Sequence, residues 1–150
     1  MVNILRDIGV IARSLDSIAN IEFKELKLTK GQYLYLVRIQ ENPGIIPDKL
    51  SEMIKVDRTT ASRAIQKIEA NGYIEKRSDP VNKKIKRLFT TKKGDELADF
   101  IIKENEHSNE IALKGLTDEE IKNFSHLLTT IKQNVEEDWE FVKKGNKRHY

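Results

Sequence analysis

Apolar residues recur every three or four positions over most of this chain, which is the period of an amphipathic α-helix. Residues 3–20 carry one such stripe, with alternating steps of four and three residues. Its members are Ile4, Ile8, Ile11, Leu15 and Ile18. Residues 117–144 carry a second stripe, made by Ile121, Phe124, Leu127, Leu128, Ile131, Val135, Trp139 and Val142. The pattern therefore predicts a long amphipathic helix at each end of the sequence.

Two short helices are predicted after the N-terminal one. Residues 29–42 form the first, capped by Thr29 and ended by Pro43-Gly44, neither of which continues a helix well. Its inward residues are Tyr33, Leu36 and Val37, with Leu34 left open. The second helix opens at Pro47, a residue suited to a first helical turn. Its apolar residues are Leu50, Met53 and Ile54.

The next helix is predicted from Arg58 to Asn71. Asp57 is a good N-cap, and Asn71-Gly72 tolerates the left-handed backbone at which many helices end. The inward face consists of Ala61, Ala64, Ile65 and Ile68. A short turn at Val56 joins this helix to the preceding one, so the two form a helix-turn-helix.

A hairpin and two helices complete the predicted order. Strands are expected at residues 73–77 and 85–90, joined by residues 78–84 with Asp, Pro and Asn at the tip. A helix then runs from a cap at Thr90 or Thr91 to about Lys114, with Leu97, Phe100, Ile101 and Ile111 as its apolar residues, and Gly115 ends it. Thr117 and Glu120 form a capping box for the last helix. The predicted fold is mainly α with a small β-hairpin, in the order α-α-α-α-β-β-α-α.

Positive charge is concentrated between residues 55 and 93. This segment holds twelve Lys or Arg and four Asp or Glu, a net charge of +8. The whole chain carries only +3, so the remainder carries −5. A basic module in an acidic frame indicates a surface that meets a polyanion.

The outward face of the helix at 58–71 has the side chains of a helix that reads DNA. It presents Arg58, Thr59, Thr60, Ser62, Arg63, Gln66 and Lys67, and no outward acid before Glu69. Arg63 can pair with guanine and Gln66 with adenine, while the hydroxyl groups can bond phosphates or bases. The hairpin adds Lys83, Lys84, Lys86 and Arg87, which suit a wing that lies along a DNA backbone or reaches into a minor groove.

Two other interpretations compete with DNA binding. Taken singly, each lysine is better explained by a solvated surface than by a DNA contact, since most charged residues are exposed. A winged helix that docks an acidic protein would also use such a face. Three features together favour double-stranded DNA as the partner: the acid-free outer face, the helix-turn-helix bounded by Pro47 and Gly72, and the basic hairpin.

Residues 49–94 resemble the winged helix-turn-helix of the MarR/SlyA family of bacterial transcription regulators, with SlyA-like members the most similar. The matching residues are Leu50-Ser51, Asp57 through Arg63, Glu69 to Ile74, Arg77, Asp79, Leu88, Thr90-Thr91 and Gly94. Flanking helices of the right number extend the resemblance over essentially the whole chain. The family's wing usually carries an aspartate followed by arginines at its tip. This chain has Asn82-Lys83-Lys84 there, which keeps the charge but lacks planar guanidinium groups.

The terminal helices predict a homodimer. No third layer of the chain covers their stripes, so packing on a second copy is favoured over packing on each other within one chain. The predicted dimer contacts are Ile4, Ile8, Ile11, Leu15, Leu128, Ile131, Val135 and Trp139. A two-fold dimer would set two recognition helices about 34 Å apart on a pseudo-palindromic operator, as the resemblance also implies. We expect residues 1–28 and 95–150 to form the helical dimerisation lobe and residues 29–94 the winged DNA-binding lobe.

Neither an enzyme nor a cofactor is predicted. The absence of cysteine excludes disulfides and thiolate chemistry. His107, His126 and His149 lie far apart, so no metal site is predicted, and Glu119-Glu120 and Glu136-Glu137 suit solvated helix faces. No nucleophile motif or glycine-rich phosphate loop is present. No apolar run approaches the ~20 residues of a membrane span, so no membrane partner is predicted and the cytoplasm is the expected compartment.

An effector site is only implied by the resemblance. MarR relatives often bind small aromatic acids in a cleft between the two lobes. Arg13, Tyr33 and Arg38 fall near that junction in the predicted layout, where packing and surface roles are favoured. Whether the protein binds a small aromatic effector is therefore left open by the sequence, whereas peroxide sensing through cysteine is excluded.

Overall fold

The computed structural model describes residues 1–28 and 31–150. The chain divides into two compact units, residues 1–108 and 109–150. The helices and strands are α1 (Ile4–Glu22), a 3₁₀ helix (Lys24–Leu26), α2 (Gln32–Glu41), α3 (Pro47–Ile54), α4 (Arg58–Ala70), β1 (Ile74–Ser78), β2 (Lys86–Thr90), α5 (Lys92–Ala112) and α6 (Asp118–Lys143). The predicted order of helices and strands is confirmed, and the fold is a mainly helical winged helix.

The core of the first unit is assembled around α2. This helix packs against α3, α4 and β2, and buries Tyr33, Leu36 and Val37 as predicted. Leu34, left open by the pattern, is 39% exposed. Tyr35 and Ile39 are buried although one helical stripe does not include them, because neighbouring elements cover α2 on several sides. Burying each such large side chain contributes roughly 1.5–3 kcal/mol.

The start of α2 corrects the prediction, whereas its end agrees with it. The helix begins at Gln32, and its N-cap Gly31 takes a φ of 76°, which glycine adopts at little cost. The expected cap, Thr29, lies outside the described residues. Asn42 closes the far end, where its N–H donates to the carbonyl oxygens of Arg38 and Ile39.

The hairpin is shifted slightly from its predicted bounds. β1 pairs antiparallel with β2, with Ile74 opposite Thr90 and Ser78 opposite Lys86. Tyr73 is not in β1 because its N–H donates to the carbonyl oxygen of Ile68 across 3.1 Å and so closes α4. β2 begins after Ile85, because the N–H of that residue bonds back to the loop.

The helix α5 follows β2 after a single residue. Thr91 is its cap, since its hydroxyl oxygen accepts from the N–H of Gly94 across 3.0 Å. Leu97 and Ile101 are buried as predicted, but Phe100 and Ile111 are more than half exposed. The helix ends at Ala112 rather than Lys114, since a tighter turn leads into Gly115.

The second unit consists of the end of α5 and the long helix α6. The predicted capping box is confirmed: Thr117 accepts from the N–H of Glu120, and the carboxylate of Glu120 accepts from the N–H of Thr117. No residue of α6 is buried in this chain. Burial within the chain therefore does not explain the apolar stripe of α6.

Candidate nucleic-acid interface

The orientation of α4 follows from its buried face. Ala61, Ala64, Ile65 and Ile68 are all buried, as the sequence predicts. Their spacing of three and four residues places the predicted outward set on the opposite side. Every member of that set is exposed, namely Arg58, Thr59, Thr60, Ser62, Arg63, Gln66 and Lys67. The helix therefore presents an accessible polar face that is free of acids up to Glu69.

Asp57 fixes the start of α4 through two bonds to one residue. Its carboxylate accepts from the N–H of Thr60 at 2.8 Å and from the hydroxyl of Thr60 at 2.7 Å. These bonds, the one from the hydroxyl first, hold the pKa of Asp57 below its usual value. The hydroxyl proton of Thr60 is thereby committed to the cap, so this hydroxyl can serve DNA only as an acceptor.

The basic and amide side chains of α4 differ in how they are engaged. Arg58 forms an exposed ion pair with Asp48 of α3, with Nη2 and Oδ2 3.4 Å apart. Among the described residues, the side chains of Arg63 and Gln66 form no hydrogen bond or ion pair. These two side chains carry the donors that suit guanine and adenine, and both are available at the surface.

The wing loop is organised by Asp79. One carboxylate oxygen accepts from the N–H groups of Val81 and Asn82, at 3.1 and 2.9 Å. The other accepts from Nε of Arg87 at 2.6 Å. The amide of Asn82 first, and Arg87 second, lower the pKa of Asp79 from its usual value. Asp79 is only 9% exposed, so its carboxylate lies within the loop and holds the loop conformation through these hydrogen bonds.

Arg87 therefore differs from the other predicted wing contacts. Its Nη1 also donates to the carbonyl oxygen of Gly44, at 3.0 Å, and so ties the wing to the turn after α2. Lys83, Lys84 and Lys86 are exposed, and Nζ of Lys86 donates to the hydroxyl of Ser78. The sequence placed Arg87 among the DNA contacts but did not indicate its bond to Asp79. An aspartate in the predicted loop and an arginine in the following strand were the available signal.

The turn after α2 pairs with β2 through a single antiparallel bridge between Ile45 and Leu88. The N–H of Gly44 donates to the carbonyl oxygen of Leu88 at 2.8 Å, and the N–H of Leu88 donates to Ile45 at 3.0 Å. On the hairpin itself, the guanidinium of Arg77 lies 4.3 Å from the ring centre of Phe89. These bonds fix the base of the wing relative to α2.

Comparison with known proteins assigns the family. The model described as the MarR family matches residues 28–86. The HTH-type transcriptional regulator YybA of Bacillus subtilis (strain 168) is 63% identical over 150 residues, which is all of both chains. The chain belongs to the MarR family of transcriptional regulators.

Two solved structures from Listeria monocytogenes are similar to this chain over its full length and over theirs. An SlyA-like transcription regulator is 60% identical, with a TM-score of 0.96. A MarR family transcriptional regulator complexed with 26mer DNA is also 60% identical, with a TM-score of 0.95. The resemblance to SlyA-like regulators predicted from residues 49–94 is therefore confirmed over the full length.

The predicted dimer contacts of this MarR-family chain are at the surface of their own units. In α1, Ile4, Ile11 and Leu15 are 50%, 54% and 40% exposed. In α6, Leu128 and Val135 are exposed, at 37% and 51%. The remaining members, Ile8, Ile131 and Trp139, are half-buried. The two stripes thus remain uncovered to a degree that is unusual for large aliphatic side chains.

The residues placed near an effector cleft mostly have partners within the chain. The hydroxyl of Tyr33 donates to Asp16 at 2.7 Å, and burial is the main reason that the pKa of Tyr33 is raised. Arg38 pairs with Glu41 at 2.8 Å. Arg13 is exposed on α1. Packing and surface roles account for these three residues.

Within residues 1–28 and 31–150, no group of three or more His, Cys, Asp or Glu side chains could hold a metal ion. No helix in those ranges combines the length and the apolar character that crossing a membrane requires.

Proposed function

We propose that this MarR-family regulator binds a pseudo-palindromic DNA operator as a homodimer, with α4 in the major groove and the wing on the adjacent backbone. The carrying observation is the exposed, acid-free outer face of α4, held in place by the buried Ala61, Ala64, Ile65 and Ile68. A relative that is 60% identical has been crystallised with a 26mer DNA, which supports the same partner here.

The side chains of α4 divide by chemistry into two sets. Arg63 and Gln66 would read base edges, because a guanidinium matches guanine and an amide matches adenine. Arg58, Thr59, Ser62 and Lys67 would contact phosphates or bases at the rim of the groove. Thr60 would act mainly through Asp57, since its hydroxyl proton is used in the cap.

The wing would hold the DNA backbone rather than read sequence. Lys83, Lys84 and Lys86 are flexible point charges, which attract phosphates without favouring one base. Arg87 would contribute through the shape of the loop, because Asp79 and Gly44 bind its guanidinium.

The dimer would be formed by residues 1–28 and 95–150, and residues 29–94 would form the DNA-binding lobe. Support comes from the exposed stripes of α1 and α6, which a second copy could cover. Two-fold symmetry would then place the recognition helices about 34 Å apart, which is one turn of DNA. Binding to chromosomal DNA implies the cytoplasm as the working compartment and requires no catalysis.

A small aromatic acid is the effector class that the structure supports. A hollow of about 360 Å³ lies on the first unit. Its lining residues are Leu26, Tyr73, Lys93, Glu96, Leu97 and Phe100. Nζ of Lys93 lies 4.7 Å from the ring centre of Tyr73. An ammonium group beside aromatic rings suits a ligand that combines a carboxylate with a ring.

The function is tested by selecting bound fragments from the host genome and titrating the selected duplex against a scrambled one. We expect the selected duplex to bind at least 10³-fold more tightly, with a log–log salt slope of several units. Equal affinity for both duplexes would contradict sequence-specific binding. A partner found only among acidic proteins would instead favour the protein-docking interpretation.

The dimer is tested by sedimentation at micromolar concentration. Val135→Asp places a carboxylate in the apolar stripe of α6, whereas Asn134→Asp places the same group at the neighbouring exposed position. We expect the parent and Asn134→Asp to be dimers and Val135→Asp to shift towards monomer. A monomeric parent would contradict the half-site geometry.

A further inference from the structure

A second basic groove lies beside the far end of α4 and includes two lysines from outside the basic segment at residues 55–93. It has a volume of about 410 Å³ and lies between the 3₁₀ helix, the start of α2 and the end of α4. Its described lining residues are Lys24, Lys27, Gln32, Lys67, Ala70 and Asn71. Three of these six carry a positive charge and none carries a negative one. The groove therefore has the charge of an anion-binding surface.

The backbone between Phe23 and Leu28 is held by the core, so the backbone positions of Lys24 and Lys27 are defined. Phe23 and Leu28, on either side of it, are fully buried. The carbonyl oxygen of Phe23 accepts from the N–H of Leu26 at 3.0 Å. The carbonyl oxygen of Leu26 in turn accepts from the hydroxyl of Tyr73 at 3.1 Å.

Lys27 has a backbone conformation that lysine rarely adopts. Its φ is 58°, in the left-handed region that favours glycine or asparagine. The backbone there would accept either residue more readily, so a lysine is not what local geometry alone selects. The side chains of Lys24 and Lys27 are both exposed.

This groove continues into the face of α4 proposed to meet DNA. Gln32 and Lys67 also line a neighbouring groove of about 480 Å³, which extends along α4 to Thr60 and Arg63. The two grooves together follow one side of α4 next to α2. In helix-turn-helix complexes the first helix of the motif, which is α3 here, crosses the DNA backbone while the recognition helix lies in the major groove, so phosphates flank the recognition helix on both sides.

We propose that Lys24 and Lys27 form a third DNA contact, which binds backbone phosphodiesters along the α2 side of α4. This inference rests on the proposed function and adds a surface to it. Lysine ammonium groups are suited to phosphate oxygens and carry no information on sequence. The contact would raise the affinity for all duplexes and set the angle at which α4 enters the groove.

The test compares a double variant, Lys24→Gln with Lys27→Asn, with the parent on cognate and scrambled duplexes over a range of salt. Asparagine is chosen because it accepts the left-handed backbone at residue 27. We expect the log–log salt slope to fall by about 3.6, since the homodimer loses four phosphate contacts and each contributes about 0.9. Both duplexes should lose affinity by the same factor, roughly tenfold at low salt.

Two matched variants separate a local contact from other effects. Lys103→Gln removes an exposed charge from α5 and should leave the salt slope unchanged within about 0.3. The double variant Lys24→Arg with Lys27→Arg keeps both charges and should retain the parent slope. A loss of slope in the Arg variant would overturn the proposal, because it would indicate a structural effect.

The outcomes distinguish this inference from the proposed function. A parent that discriminates cognate from scrambled DNA, with an unchanged slope in the Gln/Asn variant, would overturn only the third contact. A parent without discrimination would overturn the proposed function. Saturable chemical-shift changes at Lys24 and Lys27 with inorganic phosphate alone, at millimolar concentration, would assign the groove to a free phosphate instead and also overturn the inference.

Discussion

Nε of Arg87 donates to the carboxylate of Asp79 across 2.6 Å, and this bond links β2 to the start of the wing loop. The same carboxylate accepts two amides of that loop, while the same guanidinium reaches the carbonyl oxygen of Gly44. The pair thus joins the loop, the strand and the turn after α2. The shape of this lysine-rich wing depends on one carboxylate and one guanidinium.

The first prediction concerns this pair. Asp79→Ala, Arg87→Ala and the double variant should each weaken binding to cognate and scrambled duplexes alike, because the wing would no longer hold its lysines in position. The losses should be non-additive, with the double variant close to either single variant. Affinity titration of the four proteins measures this cycle.

Lys84→Ala tests whether the pair acts through the wing lysines. It removes one exposed wing charge and leaves the pair intact. Its loss should be less than additive with that of Asp79→Ala, because in the latter variant the wing no longer holds Lys84 in position. Additive losses for Asp79 and Arg87 themselves would show that Arg87 contacts DNA independently of the carboxylate.

The second prediction is the pH dependence of stability. The pKa values of Asp57 and Asp79 are held below their usual range by hydrogen bonds that the unfolded chain lacks. Such carboxylates stabilise the folded state fully above the unfolded pKa of about 3.9, and this contribution is lost as the pH falls through the lower folded value. The free energy of unfolding should therefore fall as the pH drops below about 4.

Urea denaturation at a series of pH values from 7 to 3 measures this dependence. Asp79→Asn should lower stability at pH 7 and reduce the slope below pH 4, since one of the two carboxyls no longer titrates. A slope identical to that of the parent would show that Asp79 does not contribute.

The third prediction concerns the contact between α5 and the end of α4. A Cβ atom at Gly94 would lie 1.9 Å from the carbonyl oxygen of Tyr73, so backbone would have to move. Gly94→Ala should cost about 3 kcal/mol or more in the free energy of unfolding. Thermal or urea unfolding provides the measurement.

Gly9→Ala is the comparison for this substitution. A Cβ there would meet only the flexible guanidinium of Arg13, at 3.1 Å, within a helix that alanine favours by up to about 1 kcal/mol. Its stability should stay equal to or slightly above that of the parent. Equal losses for the two glycines would contradict the close approach at Gly94.

Much of this fold could be predicted from the chain because its local signals agree with its packing. Asp57 caps α4, and Thr117 with Glu120 forms the capping box of α6, because these bonds join residues three apart in sequence. The inward face of α4 could likewise be predicted, because its apolar residues recur with the period of an α-helix. Local hydrogen bonds and amphipathic periods do not depend on distant contacts.

The parts that were missed depend on residues far apart in sequence. Burial of Tyr35 and Ile39 results from α3, α4 and β2 closing around α2. Phe100 fits the stripe of α5 yet is 52% exposed. Arg87 could be recognised as a basic wing residue, but its bond to Gly44 requires the turn after α2 to be placed beside the hairpin.

The measurement that tests the central claim most directly is the affinity of Arg63→Ala for cognate and scrambled duplexes, beside Lys84→Ala. If α4 reads bases in the major groove, Arg63→Ala should lose roughly 1–3 kcal/mol per half-site on the cognate duplex and much less on the scrambled one, with relaxed preference at one base pair of each half-site. Lys84→Ala should weaken both duplexes equally. Equal losses on both duplexes for Arg63→Ala would contradict base reading by α4.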